Sequence, residues 1–150
     1  MTGAGVPPDP TAPAPGASRP GESPADPELV ELAGRVFAMT RAGDAEQLAA
    51  YVDAGVPVNL TNDNGDTLLM LAAYHGHAAA VDVLVARGAA VDRLNDRGQS
   101  PLAGAVFKGE DAIVRALAAA GADPWAGHPT AVDTAVMFGR DDLLEVLGSR

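Results

Sequence analysis

The 150-residue chain contains no cysteine. That excludes a disulfide scaffold, a thiolate metal site and a cysteine nucleophile. Aromatic residues make up only 4% of the chain, so its interior has to be built from Ala, Val and Leu, which suits thin helices packed closely side by side. Positive charge is scarce as well: ten Lys and Arg stand against twenty Asp and Glu, for a net charge of −10 and a pI near 4.5. A surface of that sign repels a phosphate backbone, which argues against nucleic acid as a partner. The sequence has no apolar run of the roughly 18 residues that a membrane helix needs. Its N-terminus shows neither the basic start nor the apolar stretch of a secretory signal. The expectation is a cytoplasmic protein without membrane contact.

What the chain does have is punctuation. Gly65 recurs as Gly98, Gly76 as Gly109 and Gly88 as Gly121, each 33 residues on. Backwards, the same register links Gly76 to Gly43 and Gly88 to Gly55. Apolar positions keep step: Leu48, Val81 and Val114 form one column, and Tyr51, Leu84 and Leu117 form another. Ala72, Ala105 and Ala135 correspond if the last copy is three residues shorter. Several positions returning at one spacing mark a supersecondary unit used repeatedly.

Taken in order, the chain opens with a segment, 1–25, that holds seven of its twelve prolines. Val6 is its only large aliphatic side chain after Met1. So little apolar surface cannot offset an ordering cost of roughly 1–2 kcal/mol per residue, and the segment is expected to be a disordered tail. Pro7 and Pro10 have P-x-x-P spacing, but no basic residue flanks them, which favours a solubilising role. Asp26-Pro27-Glu28 then reads as a helix start, with a cap, a first-turn proline and an acid at the positive end of the dipole. Leu29, Leu32, Val36, Phe37 and Met39 give this helix a one-sided apolar face.

A paired helix runs from Ala45 to Ala54, followed by an extended finger whose tip is Asn62 to Gly65. Thr67, Ser100 and Thr130 each stand where a helix cap is needed, and Pro101 suits a first helical position. The last pair carries Val132, Ala135 and Val136, then Leu143, Leu144 and Leu147 as inward side chains. The predicted division is a tail at 1–25 and a repeat domain at 26–150, with repeats at about 26–61, 62–94, 95–127 and 128–150.

These units resemble the ankyrin repeat. In the second copy the resemblance rests on Gly65, Thr67, Leu69, Ala72, Ala73, Gly76, His77, Val81, Leu84, Gly88 and Ala89. In the third it rests on Gly98, Ser100, Pro101, Leu102, Ala105, Gly109, Val114, Leu117, Gly121, Ala122 and Asp123. Leu68 replaces one helix-start proline, and Met70, Ala103 and Asp133 occupy the place of the histidine in T-P-L-H. The fold implied is an all-α ankyrin-repeat solenoid of about four helix pairs with β-hairpin-like fingers.

Few residues are left over for chemistry. His75 and His77, with His128 as a third candidate, suggest a metal, but the spacing across Gly76 is not the i, i+4 pair of a helical site. His77 also matches the family's turn histidine. Asp63-Asn64-Gly65-Asp66 lacks the alternating oxygen ligands and the final Glu of a calcium loop, since Leu60 stands where the first ligand belongs. No phosphate-loop or dinucleotide glycine pattern occurs. The helix-start hydroxyls are explained as caps, and the acid pairs Glu110/Asp111 and Asp141/Asp142 as dipole complements at helix starts. No catalytic residue, metal or cofactor is expected.

The resemblance implies a non-enzymatic module that binds a partner protein through its concave face and fingers. Carried over by position, that surface comprises Asp63, Asn64, Asp66, Tyr74 and His75 in the second copy. In the third it comprises Asp96, Arg97, Gln99, Phe107 and Lys108. Trp125 joins them as an anchor or as a lid on the last pair, and Arg41 and Phe138 extend the strip at its ends. Small bacterial members of the family act as accessory or regulatory partners of other enzymes, catalases among them. The acidic finger residues Asp63, Asp66, Asp92 and Asp96 suit a basic or neutral partner patch. The chain is expected to be monomeric alone. Two alternatives are a small-ligand or metal-dependent protein using His75, His77 and Asp66, and a self-associating scaffold.

Overall fold

The computed structural model of the protein describes residues 27–148. The proline-rich segment and the Asp26 cap lie outside the described residues. Eight helices follow one another: α1 (Pro27–Ala42), α2 (Ala45–Asp53), α3 (Leu68–Tyr74), α4 (Ala78–Ala86), α5 (Pro101–Lys108), α6 (Asp111–Ala119), α7 (Ala131–Met137) and α8 (Asp141–Leu147). The chain divides after Arg35, inside α1, into two compact units. The described part of the first is the opening of α1, where Leu29 is 55% exposed. The apolar face expected to begin at Leu29 is therefore buried only from Val36 and Phe37, which belong to the second unit.

In the second unit the helices pair as α3 with α4, α5 with α6 and α7 with α8. Successive pairs build two layers, α3 on α5 on α7 and α2 on α4 on α6 on α8. The columns read from the sequence lie in the core: Leu48, Val81, Val114, Leu84 and Leu117 are all fully buried, while Tyr51 is half-buried. Burying each such aliphatic side chain stabilises the stack by about 1.5–3 kcal/mol. One expected core position fails: Val136 is 61% exposed, although Val106 one repeat earlier is buried. Val106 lies on α5, which α7 covers; no described helix packs against the far side of α7. Thr134 and Ala135 carry the burial in that helix instead.

The caps form as their residue types require. Thr67 Oγ1 accepts from the Met70 N–H at 3.1 Å, Ser100 Oγ from Ala103 N–H at 3.0 Å and Thr130 Oγ1 from Asp133 N–H at 2.9 Å. Because Thr67 is only 1% exposed, Thr67→Ala leaves a buried amide unsatisfied. It should lower stability by about 1–2 kcal/mol, read as a shift of the urea midpoint at unchanged slope.

The fingers contain a single antiparallel bridge, Thr61 with Thr67, and are otherwise made of turns. Each tip is organised by an asparagine. Asn62 Oδ1 accepts from the Asn64 and Asp66 N–H groups at 2.9 and 3.0 Å, and Asn95 Oδ1 accepts from Arg97 and Gln99 N–H at 3.0 and 2.9 Å. Successive tips are joined through main-chain atoms. Asp96 N–H donates to the Asn64 carbonyl at 3.0 Å, and His128 N–H donates to the Gly98 carbonyl at 2.9 Å.

Side chains add further links between repeats, in a chain where Met70, Ala103 and Asp133 stand in place of the helix-start histidine. Arg87 grips Asp53 with two hydrogen bonds of 2.9 and 3.1 Å, and Arg140 reaches Asp111 at 2.8 Å and Asp142 at 2.9 Å. The hydrogen bond from Arg140 holds the Asp142 carboxyl below the usual carboxylate range. Asn59 Oδ1 accepts from Ala90 N–H at 2.8 Å, and Asp92 Oδ1 accepts from Asp123 N–H at 2.7 Å. Asp111 and Asp142, read from the sequence as dipole complements, thus also serve as partners of one arginine.

Candidate functional site

The α3, α5 and α7 helices are short, with their inner sides committed to the core. Tyr74 and Phe107, one repeat apart near the ends of α3 and α5, point out of it and are 44% and 58% exposed. Phe107 packs against Phe138 with ring centroids 5.7 Å apart, so an aromatic row runs across three repeats. Between Tyr74 and Phe107 lies a trough of about 390 Å³, lined also by Met70, Ala103, Gly104, Pro129 and Met137. It exists because α5 carries no side chain at Gly104, where α3 has Leu71 and α7 has Thr134.

A second, polar cavity of about 320 Å³ adjoins the trough and shares Met70, Tyr74 and Gln99 with it. Asn64, Asp66, His75, Asn95 and Arg97 complete its lining along with Leu71. Asp66 is held in place there: its Oδ1 accepts from Asn95 Nδ2 at 2.8 Å and its Oδ2 from Asn62 Nδ2 at 3.3 Å.

Charge on this face is unevenly placed. The ammonium of Lys108 sits 4.8 Å above the centre of the Tyr74 ring. Partial loss of hydration, then the fields of His77, Arg41 and Lys108, hold the His75 imidazole below its ordinary range. His75 is therefore neutral near pH 7, and the unfolded chain takes up its proton first. The stability this gives is present above the unfolded value of about 6.5 and is lost as pH falls through the lower folded value. Melting should become less stable from pH 7.5 to 5.5, and His75→Gln should flatten that fall.

His77 points elsewhere. Its Nε2 lies 2.6 Å from the Arg41 carbonyl oxygen, and its ring fills the space where a Gly43 side chain would stand. His75 and His77 stack at 6.4 Å without sharing a pocket, and His77 does not line the cavity that holds His75 and Asp66. Among the described residues no three His, Cys, Asp or Glu side chains converge in a way that could hold a metal ion.

Of the surface residues carried over from the resemblance, Asn64, Asp66, Tyr74, His75, Arg97 and Gln99 meet around the polar cavity, and Phe107 joins at the trough. Lys108 lies at the rim, while Asp63 and Asp96 are exposed at the finger tips. Trp125 lines neither cavity, and its backbone N–H donates to Asp123 Oδ1 at 2.9 Å. Asp66 and Asp92, expected as displayed finger acids, are instead engaged in hydrogen bonds, with Asp92 joining two repeats. From the sequence, Met70 reads only as a histidine replacement and the two organising asparagines only as finger-tip residues, and Gly104 carries no reading at all. The 33-residue return of Asn62 as Asn95 was the signal available.

Among the described residues no helix is long and apolar enough to cross a membrane. The sequence pattern of ankyrin repeats, in three copies, matches residues 36–128. An ankyrin repeat protein of Pseudomonas aeruginosa is 45% identical over 56 residues, which is 37% of this chain and 33% of that protein. A mouse protein named 60 kDa lysophospholipase is 44% identical over 58 residues, 39% of this chain and 10% of its own length. The chain thus spans about a third of the one relative and a tenth of the other.

Proposed function

Starting from the membership of this chain in the ankyrin-repeat family, we propose that it is a non-enzymatic docking module whose α3/α5/α7 face and finger tips bind another protein. Ankyrin repeats generally mediate protein–protein interaction, and such domains are typically not enzymes. The observation that carries the reading is the exposed pair Tyr74 and Phe107, set beside a polar cavity on the same face. Apolar aromatic anchors with polar surroundings are the usual composition of a binding hot spot. A surface held by buried columns and cross-repeat hydrogen bonds loses little conformational freedom when a partner docks, which favours affinity. An accessory role toward another enzyme is the form this proposal takes in a cell.

The test compares partner capture by the wild type with capture by a Tyr74→Ala/Phe107→Ala/Arg97→Ala variant. Retained partner should fall at least tenfold in the variant while its melting temperature changes little, because all three side chains are exposed. Equal retention by both proteins would remove the face from consideration and leave the fold untouched.

A further inference from the structure

We infer that the trough over Gly104 receives one large apolar side chain of the partner, with a partner carboxylate beside it at the Lys108 end. The inference rests on the docking reading above and names the chemistry of what docks. Two separate observations support it, one of shape and one of charge.

The shape comes from a missing side chain. At Gly104 an added Cβ would stand 4.0 Å from Tyr74 Cδ1, an ordinary contact, so nothing in the packing demands glycine there. Glycine inside a helix costs about 0.5–1 kcal/mol relative to alanine. The stack accepts that cost and keeps a floor between two exposed rings. At about 390 Å³ the trough is small, near the lower end of the 300–1,000 Å³ typical of ligand sites. It has room for a large apolar side chain such as Leu, Met or Phe.

The charge runs against the sign of the whole protein. In a chain of net charge −10, three cationic or imidazole groups, His77, Arg41 and Lys108, bear on His75, while the Glu110 carboxylate lies over Gly76. Neither Arg41, Arg97 nor Lys108 forms an ion pair with a carboxylate among the described residues. Lys108 offsets the negative end of α5, yet its ammonium is drawn over the Tyr74 ring, at the edge of the trough. Asp66 is the one acid lining the adjoining cavity, and both its oxygens accept from asparagine amides. The exposed acids Asp63 and Asp96 lie at the finger tips. A partner segment is therefore read with a direction: its acid toward the ends of α3 and α5, its apolar anchor over Gly104, and neutral or basic residues toward the fingers.

The probe is a random dodecapeptide display library selected on the wild-type protein. Enriched peptides are then synthesised and measured by fluorescence polarisation. Winners should carry a large apolar residue with Asp or Glu within three positions. Their affinity should fall at least tenfold in Gly104→Leu, which fills the trough, and in Lys108→Glu. A peptide whose acid is exchanged for Lys should regain affinity for Lys108→Glu. Circular dichroism confirms that Gly104→Leu is folded; should it not be, Gly104→Ala serves instead, with a smaller loss expected. Failure to enrich any peptide, a basic consensus, or indifference to the Gly104 variants overturns the inference. Winners indifferent to Gly104→Leu but lost by the Tyr74/Phe107/Arg97 triple variant would leave the docking face standing. Indifference to every variant would remove both.

Discussion

Truncating Leu84 to Ala should cost about 3–4 kcal/mol, within the range measured for buried leucines that leave a cavity. Leu84 is fully buried on α4, and α4 packs against α2 on one side and α6 on the other. In a stack where each pair contacts only its neighbours, a defect in the middle weakens two interfaces at once. The sole tryptophan, Trp125, lies beyond α6 and reports from a different repeat. Urea unfolding followed by circular dichroism and by Trp125 fluorescence should shift together as one transition. Two separate transitions, with the tryptophan signal unmoved, would show that each pair stands alone and that the stack is not cooperative.

The second large effect is expected at the shortened last finger. Gly127 has φ of +83°, and an added methyl would stand 2.9 Å from the Gly98 carbonyl oxygen and 3.2 Å from Ser100 N. Both neighbours are backbone, so relief requires moving a finger. Gly98 has φ of +76° but open space around its would-be Cβ. Gly98→Ala should therefore lose only the left-handed strain, about 1–2 kcal/mol. Gly127→Ala should lose roughly 1 kcal/mol or more beyond that, because the His128 N–H to Gly98 hydrogen bond must lengthen. Equal losses in the two variants, measured by chemical denaturation, would mean that the close approach carries no energy.

How far the sequence reached depended on how local each signal was. Thr67, Ser100 and Thr130 could be read as caps because a cap involves a hydroxyl and an amide three residues on. The columns through Leu48 and Leu84 could be read because period and repeat length agree. Val136 was misread because periodicity tells which side of a helix is apolar, not whether another helix covers it. Leu29 failed for the same reason, since burial on α1 starts only at Val36. The trough escaped notice because it belongs to no single repeat: Gly104 means nothing until Tyr74 and Phe107 stand on either side. The role of Asp92 was hidden too, because its hydrogen bond goes to Asp123 in the next repeat.

The finger tips touch through peptide groups, Asp96 N–H on the Asn64 carbonyl and His128 N–H on the Gly98 carbonyl. Amide-to-carbonyl bonds are indifferent to which side chain the residue carries. Mutation to residues other than proline can therefore rewrite Asp63, Asn64 or Arg97 without loosening the joints between fingers, so under the proposed docking role drift at those codons changes recognition before it changes whether the chain folds. On that proposal, proteins descending from a duplicated copy diverge in partner choice at these positions while sharing one architecture.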